Sequence, residues 1–286
     1  MSAMSEQIGA LARAALEQEA RLSPKPGLVD AENCGAHRDM DLALLLHSAE
    51  TLEPYFALFA ERGIRQARLS PEGRLLDIRA SGLDAEQAMF AATNGVNTHK
   101  GALFLLGVLC YSAGHCAGNA VAPLPQEVCR VAGLVCGGIT RELGDQAGRA
   151  YVSHGARGAR GEAEDGFVHA LLALDAFEVA KTQGAAEDDA WLLALLRLVA
   201  TMEDANVLAR CGLDVARALK KRAETIANCH PAGGEALARE VRALDADCRA
   251  WRASPGGAAD VLACAMFLDA LVKNERDALQ RDASQL

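Results

Sequence analysis

Apolar residues recur at helical spacing along almost the whole chain, and no run of alternating β-branched residues competes with them. Ile8, Leu11, Ala15 and Leu16 mark one face of an N-terminal helix. Leu42, Leu45, Leu46, Ala49 and Leu52 mark a second, which Pro54 interrupts or kinks. Further helices are expected over 84–92, 101–113, 125–143, 164–182, 187–203, 213–227, 234–250 and 256–280. Ala and Leu, the strongest helix formers, dominate these stretches. With no repeat at a period of 20–50 residues, a solenoid is disfavoured. The expectation is an all-α fold of about ten helices in one domain spanning residues 1–286, and 51% apolar content is ample for a large core.

The net charge of -9 argues against a general nucleic-acid or anionic-membrane binder. Any anionic ligand must then be held by locally gathered cations or by a metal. The nine cysteines form no CxxC pair and sit mostly in apolar helical stretches, where a free thiol acts as a small hydrophobe. The N-terminus lacks a basic and then apolar leader pattern, so a reducing cytoplasm is the expected location. The strongly apolar stretch Gly101–Ala113 is shorter than the roughly 20 residues a bilayer crossing requires, and reads as a buried core helix.

The segments between helices carry the chemistry. Five of them mix glycine with charge: Leu22–Asp41, Thr93–Gly101, His154–Gly166, Glu203–Gly212 and Ser254–Asp260. One such loop would be ordinary; five suggest a shared site built from helix ends. Lys25 stands between two prolines that stiffen the backbone. Asn33–Met40 packs His37, Arg38 and Asp39 just before a helix, where Asp39 is equally a helix N-cap. Thr98, His99 and Lys100 open the most apolar helix. Thr98 reads as a cap, but cations at a helix N-terminus need an anion to balance them. Glu162, Glu164 and Asp165 follow Arg157 and Arg160, and hard oxygens of this kind suit Mg²⁺ bridged to substrate phosphates; an acidic first helical turn is the alternative. Asp204 and Asn206 end an apolar helix with Arg210 close behind. Asp260 falls one turn into the last helix, after Ser254 as N-cap and Pro255 near its first position. His154 is a weak phosphate candidate, while His47 and His169 read as ordinary helix-face histidines. No zinc spacing or nucleophile elbow is present. These residues point to Mg²⁺-dependent chemistry on a nucleotide, without choosing between phosphoryl transfer, glycosyl transfer and hydrolysis.

The segments LSPKPGLVD, NCGAHRDM, GVNTHKG, GARGEAE, DxNV at Asp204–Val207 and SPGGAAD occur in an order and spacing that resemble the triphosphoribosyl-dephospho-CoA synthase family, from about Glu17 to Leu271. The resemblance implies an all-α transferase. In that chemistry the 2′-hydroxyl of 3′-dephospho-CoA attacks C1′ of the ATP ribose, adenine leaves, and the triphosphate stays on the product. That product is the precursor of the prosthetic group of an acyl carrier protein, and is passed on to the transferase that loads it. NCGAHRDM and Cys136–Leu143 look closer to the citrate lyase branch than to the malonate decarboxylase branch. Carried over by motif, Lys25, Lys100, His99 and Arg160 would contact phosphates, with Arg38 a further choice. Glu162, Glu164, Asp204 and Asp260 would be Mg²⁺ ligands, with the general base among Glu162, Asp204 and Asp260. Ala205, Cys211 and the missing proline after Gly166-Phe167 depart from the pattern but remove no charged motif residue. Substrates apart, no nucleic acid or membrane partner is implied, and a homo-oligomer is left open. The rivals are a Mg²⁺-dependent hydrolase of nucleotides or ADP-ribosyl groups, and a helical scaffold subunit.

Overall fold

The computed structural model describes residues 1–142 and 157–283, and these contain eleven α-helices and no β-strand. In chain order they are α1 (Ala3–Arg21), α2 (Leu42–Arg65), α3 (Leu75–Ala92), α4 (Lys100–Gly118), α5 (Pro125–Val135), α6 (Gly158–Glu164), α7 (Val168–Thr182), α8 (Glu187–Thr201), α9 (Ala205–Cys229), α10 (Glu235–Trp251) and α11 (Gly256–Ala283); a 3-10 turn covers Ile139–Glu142. His154 lies outside the described residues.

Glycine decides where the observed elements depart from the expected ones. The stretch expected at 125–143 ends at Val135, because Gly138 takes φ +86° and the chain restarts as the 3-10 turn. The stretch expected at 164–182 begins as α7 only at Val168, because Gly166 takes φ +75°, and Glu164 ends a separate short helix, α6. α9 begins eight residues earlier than expected and is kinked at Gly212, whose φ of +80° and ψ of 175° are not helical. Asp41 rather than Asp39 caps α2, accepting from the Leu44 N–H at 2.9 Å. α2 itself runs through Pro54.

α4 and α11 form the interior. Fourteen of the nineteen residues of α4 are buried, so it has no polar stripe and must be surrounded. It packs on α1, α2, α3, α5, α6 and α11, while α11 also touches α1, α7, α8 and α9. By length and composition α4 could cross a membrane, but 78% of its apolar window is buried inside this fold. Six of the nine cysteines are buried here, and burial pushes the Cys129, Cys136 and Cys248 thiols up to about 12.

The α2–α4 contact is made by backbone against backbone. A Cβ on Gly63 would run into the Tyr111 carbonyl, and one on Gly114 into the Ala60 carbonyl. Gly107 lies 3.0 Å, measured from its would-be Cβ, from the ring of Phe59. Gly63→Ala should therefore cost about 1–3 kcal/mol through overpacking. Calorimetry should show a Tm several degrees lower; an unchanged Tm would mean that the two helices can separate freely.

Candidate active site

All five glycine-and-charge segments meet at one cleft of about 540 Å³, within the range of small-molecule sites. Lys25, Leu28 and His37 line it from the first segment, Asn97–Gly101 from the second, Gly158, Ala159 and Glu162 from the third, Asp204, Asn206 and Arg210 from the fourth, and Gly256, Gly257 and Asp260 from the last.

The first segment is tied down at both ends. Asp30 accepts from the backbone N–H groups of Lys25, Glu32 and Asn33 at 2.7–2.9 Å. Asp245 on α10 accepts from Gly27 N–H at 3.0 Å and from the Asn33 amide at 3.3 Å. Gly27 has to be glycine, since its φ is +69° and a Cβ would strike the Ala253 carbonyl. This anchorage sinks Lys25 to 1% exposure, where its ammonium donates to the Glu19 carboxylate at 2.7 Å and to the Glu19 carbonyl at 2.6 Å. Burial at this level requires such a partner. The sequence reading passes over Glu19, although it falls on the core-facing positions of α1 marked by Ala12 and Leu16, where a carboxylate needs a reason.

Three carboxylates reach from one element to the start of another helix. Asp260, on α11, accepts from the Ala102 N–H in the first turn of α4, and Gly101 is bare there because a Cβ would occupy the position of the Asp260 carboxylate. An acceptor for that N-terminus is thus supplied by the protein itself. Asp204 caps α9 through Asn206 N–H at 2.8 Å and Val207 N–H at 3.2 Å, and holds the start of α11 through Gly257 N–H at 2.9 Å. Glu162 accepts from the His169 and Ala170 N–H groups of α7 at 2.9 and 3.1 Å, and its second oxygen takes His169 Nδ1 at 2.7 Å. That ion pair raises the imidazole's proton affinity.

Burial, reinforced by Glu19 and Asp204, pushes the Asp260 carboxyl well above the usual carboxylate range, although its side chain still opens onto the cleft. Asp204 is raised as well by burial, against the pull of its backbone N–H donors. His99 is 5% exposed and pulled down to about 4 by burial and the nearby Lys25 cation, so it is neutral. Its Nδ1 bonds Ser48 Oγ at 3.0 Å, Ser48 bonds Thr98 Oγ1 at 2.7 Å, and Nε2 is buried with no partner. Thr98 therefore does not cap α4 with its side chain. Ser48, another core-facing polar residue, goes unnoticed in the sequence.

Several expected phosphate contacts are changed by this geometry. Lys25 is neutralised by Glu19, and Lys100 reaches Glu86 at 2.5 Å. His99 offers a hydrogen bond and no charge. Arg160 lies beyond the cleft lining and donates to the Glu142 carbonyl at 3.3 Å. Arg38 is exposed in a neighbouring depression beside Asp39 and Asp41. Of the carboxylates, Glu164 is not brought into the cleft: it is held by Gly138 N–H at 2.8 Å, by the Thr140 hydroxyl and by Arg157 at 2.8 Å. His37 joins the cleft instead, bonded through Nε2 to Ser254 Oγ at 2.8 Å.

A family model described as ATP:dephospho-CoA triphosphoribosyl transferase matches residues 5–278. A protein of Albidiferax ferrireducens, named "Probable 2-(5''-triphosphoribosyl)-3'-dephosphocoenzyme-A synthase", is 38% identical over 93% of this chain and 91% of its own length. Proteins of Haemophilus ducreyi and Pectobacterium atrosepticum named 2-(5''-triphosphoribosyl)-3'-dephosphocoenzyme-A synthase are each 38% identical, over 94% and 89% of this chain and 89% and 85% of their own lengths.

Because the Asp260 carboxyl is raised in the fold, the stability it contributes is complete below its unfolded pKa and is lost as pH rises through the folded value. Asp260→Asn keeps an acceptor for Ala102 and removes the charge. The ligand-free variant should melt above the wild type at alkaline pH, with the gap closing toward acid, while its turnover collapses. A variant that melts below the wild type across the range would show Asp260 to be a structural anion.

Proposed function

The chain belongs to the ATP:dephospho-CoA triphosphoribosyl transferase family, and we propose that it transfers the triphosphoribosyl group of ATP to the 2′-hydroxyl of 3′-dephospho-CoA with release of adenine. The observation that carries this reading is the convergence of the five segments on one cleft lined by the carboxyl groups of Glu162, Asp204 and Asp260. The bond between C1′ of the ribose and the adenine nitrogen breaks, and the new bond joins C1′ to the attacking oxygen. Positive charge develops at C1′ on the way, as in other glycosyl transfers, and fixed anions nearby lower its cost.

Mg²⁺ suits this cleft as an ion carried in with the triphosphate. Among the described residues no three His, Cys, Asp or Glu side chains converge as a ready-made cage, so phosphates must supply most of the oxygens. Asp204 and Glu162 have their lone pairs largely taken by helix N–H groups. Asp260 and Glu19 have capacity to spare and would hold the ion, which draws negative charge off the triphosphate. Glu162 lines the cleft outside that pair, and the Glu162–His169 couple is our assignment for taking the hydroxyl proton. The neutral His99, with its bare Nε2, orients rather than attracts its ligand. NCGAHRDM supports service to citrate lyase, where a transferase would load the product onto an acyl carrier protein; service to malonate decarboxylase is the alternative.

Incubated with ATP, Mg²⁺ and dephospho-CoA, the purified protein should release free adenine and yield a dephospho-CoA heavier by one triphosphoribosyl group, read by mass spectrometry. Release of phosphate or ADP with dephospho-CoA unaltered would assign it to hydrolysis instead. Glu162→Gln retains one oxygen for the α7 cap and loses the charge shared with His169. It should lower kcat about a hundredfold with the KM for ATP little changed; an unaltered kcat would remove Glu162 from the reaction.

A further inference from the structure

Polyphosphate substrates must be anchored by cations, yet five Asp and Glu residues line this cleft against three Lys and Arg. Two of the three cations are already spent: Lys25 on Glu19 and Lys100 on Glu86. The third, Arg210, has no carboxylate partner among the described residues and stands exposed on the cleft wall.

The backbone brings it there. α9 starts at the Asp204 cap, runs to Cys211 and breaks at Gly212, so Arg210 sits just ahead of the kink. A φ of +80° with ψ near 180° is a conformation essentially confined to glycine. Cys211 Sγ, 3.5 Å from the carbonyls of Trp251 and Arg252, fixes the kink against the end of α10. His37 lines the same cleft, held by Ser254; burial lowers its proton affinity, which Asp39 raises and the Arg210 cation lowers. Asp39 lies 3.8 Å from His37 Nδ1 but, among the described residues, forms no ion pair with Arg210, and Gly256 and Gly257 line the same cleft.

We infer that Arg210 is the cleft's anchor for a substrate phosphate chain, binding it through the paired N–H groups of its guanidinium. This deepens the transferase reading and rests on it. The chain is the triphosphate of ATP or the pyrophosphate of dephospho-CoA, which share the chemistry Arg210 recognises.

The test compares wild type with Arg210→Ala, Arg210→Lys and Arg217→Ala, the last an exposed arginine on the same helix outside the cleft lining. Steady-state kinetics with each substrate varied would be joined by calorimetric binding of ATP and of dephospho-CoA to the unreacted protein. Arg210→Ala should raise KM and Kd for one of them by about tenfold or more, with kcat within a few-fold and Tm unchanged. A rise for ATP identifies the triphosphate, and a rise for dephospho-CoA the pyrophosphate. Arg210→Lys should recover part of the loss, and Arg217→Ala should match the wild type. Unchanged binding of both substrates by Arg210→Ala, or an equal loss in Arg217→Ala, would overturn the inference. A wild type that binds both but forms no product would sink the transferase reading and leave the binding arms to decide Arg210.

Discussion

The site depends on carboxylates that satisfy the open ends of helices to which they do not belong. The first N–H groups of a helix have no intrahelical partner and carry a partial positive charge. Asp260 serves α4, Glu162 serves α7, and Asp204 serves both α9 and α11. The bonds from Asp260 to α4 and from Asp204 to α11 join elements far apart in the chain, so contacts that close the fold also fix the cleft walls. Asp204 alone aligns two helix starts, one of them the start of the helix that carries Arg210. Asp260 differs in having few donors for its charge, and its buried ionised form is a debt that only a bound cation or proton relieves.

Electrostatics are arranged residue by residue rather than by overall balance. An acidic protein handling polyanions looks contradictory at a net charge of -9. The structure deepens the contradiction before resolving it, because Lys25 and Lys100 arrive already neutralised. An ammonium buried against Glu19 cannot swing out to a ligand; its value lies in holding the Glu19 carboxylate beside Asp260 and in keeping His99 uncharged. Repulsion across the body of the protein is then offset at a few points.

The sequence made the all-α class plain, since helical spacing of Ala and Leu had no competitor, and it located all five segments that build the cleft. What it could not supply was direction. Arg160 and Glu164 lie in a motif with Glu162, yet α6 is a short helix that turns Glu162 inward and leaves Glu164 facing Thr140 and Arg157. Lys25 looks like a free cation until the loop is seen to be pulled onto α10 by Asp245. Glu19 and Ser48 were legible only as polar residues on core-facing helical positions, a signal that needs the helix phase before it stands out. Arg210 was in view, but only pairing of its rivals singles it out.

The glycine contacts between α2 and α4 bear on how the enzyme can move. Packed side chains give neighbouring helices a layer that yields to small sliding displacements. Where Gly63 meets the Tyr111 carbonyl and Gly114 meets that of Ala60, no such layer exists. Ser48 on α2 and His99 at the head of α4 thus share one unsliding frame. Gly166 and Gly212 act differently, interrupting helices rather than pressing two of them together. The wall of the cleft that α2 and α4 build is its anvil.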